Sequence, residues 1–237
     1  MIARRQGANP TSVRPAVRRP GRRLLRLVLP AVVAVMLAPS AEAQRVTAGA
    51  HYALAQYAEQ GASLRFAGGG PAAQASVQWR RFGLHVAAAR LSFEPHDGNV
   101  QAEGFNATQR DLRLRVRATP LVSVEAGFVD RDVEPLHAAQ SFASLRLGAL
   151  VAFPLHIGSE LAVRAAYLGG SRFSGGGSAP FGVEIGMHVG YAPWSDRLRF
   201  TGDLEFQRLD RRTETGGGEL AAPIQSAIAR VGFMVAW

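Results

Sequence analysis

The chain has 237 residues, no cysteine and 27 basic residues, all arginine, against 18 acidic ones. The first 43 residues hold eight arginines and one acid, so the remaining 194 carry 19 basic and 17 acidic groups, a net charge of +2. This near balance excludes nucleic-acid binding through overall basicity, and the lack of cysteine excludes disulfides and thiol chemistry.

The N-terminus has the three parts of a secretory signal peptide. Residues 1–26 hold eight arginines and no acid, Leu27–Ala38 is a run of twelve apolar residues, and Ala41-Glu42-Ala43 has small residues at the cleavage positions. A spanning helix needs about 20 apolar residues, so this run is too short to be one. We predict a signal peptide over residues 1–43, cleaved after Sec-type export, and one domain over residues 44–237.

After the signal peptide, apolar and polar residues alternate in short segments, which is the period of a β-strand. Turn-forming residues separate ten such segments, each near the 9–11 residues that a tilted membrane strand needs. In chain order the predicted strands are Val46–Tyr57, Ala73–Arg80, Gly83–Phe93, Gln109–Ala118, Val122–Phe128, Phe142–Phe153, Glu160–Leu168, Phe181–Tyr191, Arg197–Gln207 and Ile224–Trp237.

The predicted connections alternate between short and long. The short ones are Arg81-Phe82, Thr119–Leu121, Pro154–Ser159 and Ala192–Asp196. The long ones are Ala58–Ala72, Glu94–Thr108, Val129–Ser141, Gly169–Pro180 and Arg208–Pro223. Membrane β-barrels show this asymmetry, with short periplasmic turns and longer outer loops. In Gln60–Gly70 the residues Ala62, Leu64 and Phe66 could belong to an extra strand or a protruding hairpin, so eight or twelve strands stay open.

The last eleven residues form the clearest strand. Ala227, Ala229, Val231, Phe233, Val235 and Trp237 share one apolar face, and the chain ends on the tryptophan. This segment resembles the closing strand of bacterial outer-membrane β-barrel proteins, in which a terminal Phe or Trp is an assembly signal. The resemblance is to the class and not to one family. It predicts an all-β fold, a closed antiparallel up-and-down transmembrane β-barrel, and the ten alternating segments predict that it has ten strands.

This resemblance also implies a location and partners. The location is the outer membrane of a Gram-negative bacterium, with outer-membrane lipid as a partner. Periplasmic chaperones and the barrel-assembly machinery would act during biogenesis. The assembly signal would comprise Val231, Phe233, Val235 and Trp237.

Alternation alone does not say which face of a barrel meets lipid, because a soluble lipocalin-like carrier has the same pattern with its faces reversed. The aromatic residues favour a membrane barrel, since they fall into two belts at the levels of the lipid headgroups. Near the short-turn end lie Trp79, Phe82, Phe153, Tyr191, Trp194 and Trp237. Near the long-loop end lie Tyr57, Phe93, Phe128, Phe142, Tyr167, Phe181 and Phe206.

The opposite face, which then lines the lumen, is rich in charge. On it we place Asp111, Arg113, Arg115, Arg117, Glu125, Arg146, Arg164, Glu184, Arg199, Asp203, Glu205 and Arg230. Counting from the turns puts Arg230 beside Asp203 or Glu205, and puts Arg115 or Arg117 near Glu125. Because unpaired charges in a narrow lumen are costly, we expect an arginine–carboxylate network.

Such a network is either a plug that holds the strands in register or the lining of a narrow pore. A ten-stranded lumen is only slightly wider than one that side chains fill, which favours the plug. We therefore predict a structural or surface-interaction role through five outer loops. The alternatives are a narrow Arg-lined, porin-like pore or transporter for small solutes and, with reversed faces, a soluble periplasmic carrier.

The sequence does not indicate a catalytic, cofactor or metal site. Some ten-stranded outer-membrane barrels are proteases with Asp and His at the outer rim, but this chain is shorter and has none of their local motifs. The residues of that kind here are His96, Asp97, Asp130, Asp132, His137 and Asp210. The three Gly triplets lack the Lys and Ser or Thr of a phosphate-binding loop, and no cluster has metal-ligand spacing. We predict no enzyme activity, no cofactor and no metal.

Overall fold

The structure, a computed structural model, describes residues 44–60, 64–96, 102–156, 158–195, 197–215 and 218–237. The predicted signal peptide lies outside these residues, so its cleavage stays a prediction. Among the described residues, no helix is long and apolar enough to cross a membrane.

Thirteen antiparallel strands account for most of the described residues. They are β1 (Gln44–Glu59), β2 (Leu64–Trp79), β3 (Phe82–Pro95), β4 (Phe105–Arg117), β5 (Val122–Val133), β6 (Phe142–His156), β7 (Ser159–Phe173), β8 (Ser178–Ala179), β9 (Gly182–Tyr191), β10 (Leu198–Leu209), β11 (Arg212–Thr215), β12 (Gly218–Ala221) and β13 (Ile224–Ala236).

Ten of these strands close into a barrel, as the alternation predicted. They pair in the order β1, β2, β3, β4, β5, β6, β7, β9, β10, β13, and β13 returns to β1 through thirteen residue pairs from Thr47↔Ala236 to Glu59↔Ile224. The other three strands, β8, β11 and β12, extend the sheet outward from β7 at the long-loop end. A short 3-10 helix, Pro135–Gln140, lies in the connection between β5 and β6.

Strand β2 begins nine residues before its predicted start, so the predicted loop Ala58–Ala72 is wrong. Leu64 pairs with Glu59, and the β1–β2 ladder continues without a break to Trp79. The Gly triplet at 68–70, expected in a loop, lies inside this strand, where the backbones of β1 and β3 approach it closely. A Cβ on Gly68 would lie 1.8 Å from the Ser92 carbonyl oxygen. Leu64 and Phe66 thus belong to an existing strand, and Ala62 lies outside the described residues.

The outer surface of the barrel carries an apolar belt. Val231 is 70% exposed and Leu145 64%, whereas Glu184 and Glu205 on the inner face are 0% and 1% exposed. Other exposed belt residues are Leu54, Leu114, Leu147, Val163, Ile185, Met187, Leu204 and Phe233. Apolar side chains on the outside and charged ones inside are the arrangement of a membrane barrel. Along the belt, the described residues therefore do not have the reversed faces of a soluble carrier.

Aromatic side chains mark both edges of this belt. Exposed at the short-turn edge are Trp79, Phe82, Phe153, Tyr191, Trp194 and Trp237. At the other edge Tyr167, Phe181 and Phe206 are exposed, and Phe128 is half-buried on the outer face. The Tyr167 hydroxyl also donates a hydrogen bond to the Pro180 carbonyl at 3.0 Å.

Beyond the belt, at the long-loop end, the two faces exchange character. On β3, Leu91 and Phe93 point inward and are buried, whereas Arg90, Ser92 and Glu94 are exposed on the outside. The same exchange explains why three aromatics expected in the belt, Tyr57, Phe93 and Phe142, lie inside the barrel instead. A wall that stands in water needs a polar exterior and an apolar core. The barrel therefore continues above the membrane.

Candidate functional site

Glu205 on β10 is the centre of a charged layer in the middle of the lumen. Three arginines donate hydrogen bonds to its Oε2 atom: Arg113 at 3.1 Å, Arg164 at 3.3 Å and Arg230 at 3.4 Å. Gln207 and Gln109 donate to Oε1 at 2.9 and 3.3 Å. Because the side chain is buried, these donors replace the water that a carboxylate otherwise binds.

Two further carboxylates, Asp111 and Glu184, complete a ring of alternating charges. Asp111 accepts hydrogen bonds from Arg113 at 2.8 Å and from Arg146 at 2.6 Å. Arg146 also donates to Glu184, and Arg164 donates to the other oxygen of Glu184 at 2.9 Å. Each of these three arginines thus bridges two of the three carboxylates, and Arg230 joins the ring from outside. Two buried atoms in or beside the ring, Arg146 Nε and Gln207 Oε1, have no hydrogen-bond partner among the described residues.

The ring joins opposite walls of the barrel. In the closed order of ten strands, β4 and β10 are five strands apart in either direction, as are β5 and β13. The bonds from Arg113 and Gln109 on β4 to Glu205 on β10 therefore cross the whole lumen. A second crossing lies nearer the long-loop end, where Arg131 on β5 donates to Ser226 Oγ on β13 at 3.2 Å.

Smaller ion pairs occupy the lumen toward the short turns. Arg115 donates to Glu125 Oε1 from Nη2 at 2.7 Å and from Nε at 2.9 Å. Arg199 pairs with Glu160. The ring nitrogens of His188 lie 2.8 Å from Asp203 and 3.4 Å from the same Glu160.

The structure decides between the partners that the sequence left open for Arg230 and for Glu125. Asp203 stands opposite Arg230 in the β10–β13 ladder, but it pairs with His188, and the partner of Arg230 is Glu205. Glu125 pairs with Arg115, while Arg117 is exposed at the short-turn end of β4.

An apolar layer covers the charged ring on the long-loop side. The Arg131 guanidinium lies between the charged ring and this apolar layer. It is 6.0 Å from the centroid of the Tyr57 side-chain ring and 5.5 Å from that of Phe142. Above it Phe105 stacks on Phe93 at 4.8 Å and meets Phe66 edge-on at 4.9 Å. Our sequence analysis did not include Arg131, although it shares strand parity with Glu125 and therefore its face.

Three of the Asp and His residues expected at the outer rim have separate partners. Asp130 pairs with Arg110 at 3.1 Å and Asp210 pairs with Arg208 at 3.1 Å, both on the outer surface. The His137 ring packs 5.0 Å from that of Phe105, and Asp97 lies outside the described residues. Within the described ranges, no group of three or more His, Asp or Glu residues could hold a metal ion.

No protein-family model matches the chain. No curated protein matches it in sequence. Among solved structures, the outer membrane protease OmpT from Escherichia coli is similar at 9% identity and a TM-score of 0.47, over 84% of this chain and 99% of OmpT. An outer membrane channel from Pseudomonas putida F1 is similar at 7% identity and a TM-score of 0.44, over 84% of this chain and 97% of the channel. The attachment invasion locus protein Ail of Yersinia pestis is similar at 13% identity and a TM-score of 0.38, over 83% of this chain and 100% of Ail.

These likenesses concern the barrel alone. The closed barrel with its lipid-facing belt is itself the architecture of an integral outer-membrane protein, since only a barrel without free edges can span a bilayer with strands. The chain is therefore an outer-membrane β-barrel protein.

Proposed function

We propose that this protein is a plugged barrel that acts through its outer surface and does not conduct solutes. The observation that carries the proposal is the contact between opposite walls, where Arg113 and Gln109 reach Glu205 across the lumen. A pore needs a continuous water-filled path, and these contacts occupy the middle of the lumen with side chains.

The apolar layer supports the same conclusion. Leu91, Phe93 and Phe105 are 0–6% exposed inside the barrel, on the long-loop side of the charged ring. An ion that passed the ring would next have to cross an interior of aliphatic and aromatic side chains, which gives it no ligands. Two successive layers of different chemistry thus close the lumen.

The part of the protein that faces outward is correspondingly large. The barrel wall continues above the belt, and β8, β11 and β12 add a small sheet beside the rim. Loops on a rigid scaffold are where binding functions concentrate. We infer a non-enzymatic surface-interaction role for these outer segments, with the plugged barrel as their support.

Conductance in a planar lipid bilayer tests the plug. We expect the purified wild-type protein to insert without discrete current steps, because the charged ring and the apolar layer both block the lumen. Arg230→Gln should remain silent as well, since Arg113 and Arg164 still bind Glu205. Reproducible steps whose anion selectivity falls in Arg230→Gln would instead establish the Arg-lined pore.

Trypsin treatment of intact cells tests which end faces outward. Arg212 on the outer strand β11 has an exposed side chain, so we expect cleavage there in wild-type cells while the barrel stays folded. Arg212→Gln should lose that cut, and a chain with Arg117→Gln should be cleaved like the wild type, because Arg117 lies at the opposite end. Protection of Arg212 in intact cells together with cleavage in opened cells would reverse the orientation.

A further inference from the structure

The turn between β2 and β3 presents two adjacent arginines at the short-turn edge of the belt. Arg80 and Arg81 are both exposed, and they directly connect the two paired belt aromatics Trp79 and Phe82. A two-residue turn is too short to carry them away from the membrane surface. Their guanidinium groups therefore lie at the depth of the lipid headgroups.

The backbone of this turn is held in an unusual conformation. Arg80 has φ +52°, in the left-handed region that favours glycine, and it is the non-glycine residue with positive φ among those described. The Gln78 side chain braces the turn by donating to the carbonyl oxygens of Arg80 at 3.1 Å and Phe82 at 2.9 Å. A two-residue hairpin turn commonly has a positive φ at its first central residue, so the braced turn holds Arg80 and Arg81 in fixed positions at this edge.

Charge and apolar surface meet at this turn. The Arg80 guanidinium carbon lies 5.7 Å from the Trp79 ring centroid, and the Trp79 and Phe82 rings lie 6.3 Å apart, both exposed on the lipid side. Arg117 is next to them, because its backbone N–H donates to the Arg81 carbonyl at 2.7 Å. The nearby carboxylate Glu125 is buried and already paired with Arg115, so it does not neutralise this group of arginines.

We propose that Arg80 and Arg81 bind the phosphate of an anionic phospholipid in the inner leaflet, with its acyl chain on Trp79 and Phe82. Guanidinium groups donate two parallel hydrogen bonds to a phosphate, and basic residues beside an aromatic girdle favour anionic headgroups. The rings hold the chain by apolar contact. This site is separate from the lumen and does not depend on the plug, while its assignment to the inner leaflet rests on the proposed orientation of the barrel.

Native mass spectrometry of the refolded chain, in micelles with equal amounts of phosphatidylglycerol and phosphatidylcholine of the same acyl chains, tests the site. We expect the wild type to retain phosphatidylglycerol, and Arg80→Gly with Arg81→Gln to lower that preference roughly 30-fold, about fivefold for each arginine. Glycine suits the φ of residue 80, so Arg80→Gly should fold at least as well as the wild type.

A matched control removes two exposed arginines from the outer wall at the other end, Arg90→Gln with Arg172→Gln. It should keep the wild-type preference. Equal retention of both lipids by the wild type, an unchanged preference in the turn variant, or an equal loss in the control would overturn the proposal. Excess glycerol phosphate should leave the lipid bound. Displacement of the lipid by glycerol phosphate would mean a site for soluble phosphate and not for lipid.

Discussion

Glu205→Gln is expected to lower the free energy of unfolding by about 3–5 kcal/mol, the usual cost of breaking a buried ion pair by removing one partner. The substitution keeps the size of the side chain but removes the charge that Arg113, Arg164 and Arg230 share. Four buried or nearly buried arginines would then face two carboxylates. Urea titration of the folded protein in lipid vesicles, followed by tryptophan fluorescence, measures the change.

Glu219→Gln is the matched control. Glu219 is also paired with an arginine, Arg212 at 3.4 Å, but both side chains are 53% exposed on the outer hairpin. Exposed pairs contribute about 0–1 kcal/mol, so this variant should unfold close to the wild-type midpoint. If Glu205→Gln behaves like Glu219→Gln, the charged ring does not stabilise the barrel and the lumen is hydrated.

Phe93→Ala is expected to cost about 3–5 kcal/mol of unfolding free energy, the range for truncating a buried phenylalanine. The ring is 2% exposed, stacks on Phe105 at 4.8 Å and lies 6.4 Å from Tyr57, so its removal leaves a cavity in the apolar layer. The same urea titration measures the loss.

Phe206→Ala is the matched control for Phe93→Ala, because it truncates a phenylalanine on the outer face of the barrel instead of the inner one. Phe206 also lies toward the long-loop end, but it is 39% exposed on the lipid-facing side, where acyl chains can fill the vacated space. We expect a clearly smaller loss than for Phe93→Ala. Equal losses would place Phe93 in the lipid belt and remove the argument for a barrel that continues above the membrane.

The membrane part of the fold could be predicted because one physical rule acts along each strand there. Lipid outside and charge inside give every second residue the same environment. Strand parity therefore placed Arg230 on the face of Glu205, and the tight turn after β4 placed Arg115 near Glu125. Both placements were made by counting only a few residues along a strand or from a turn. Small errors in the predicted strand ends therefore did not change which residues were placed together.

The part of the barrel beyond the belt could not be predicted in the same way. Apolar and polar residues still alternate there, but the apolar residues face the interior instead of lipid. Leu91 and Phe93 continue the period of β3, but water now stands outside, so the apolar residues turn inward. On β7 the parity itself changes. The pairing shifts near Gly170, which has φ +62°, and Phe173 therefore faces the interior. The predicted aromatic belt at this end did not mark the height at which lipid ends, because Tyr57, Phe93 and Phe142 lie inside the barrel.

The contacts between opposite walls also set an order of events in time. Arg113 and Glu205, or Arg131 and Ser226, can meet only after β13 has paired with β1 and shut the cylinder. We therefore expect the interior network to form after closure and to add to the barrier for opening more than to the speed of folding. Once assembled, the barrel should persist because its unfolding is slow, a form of durability that an equilibrium midpoint does not report.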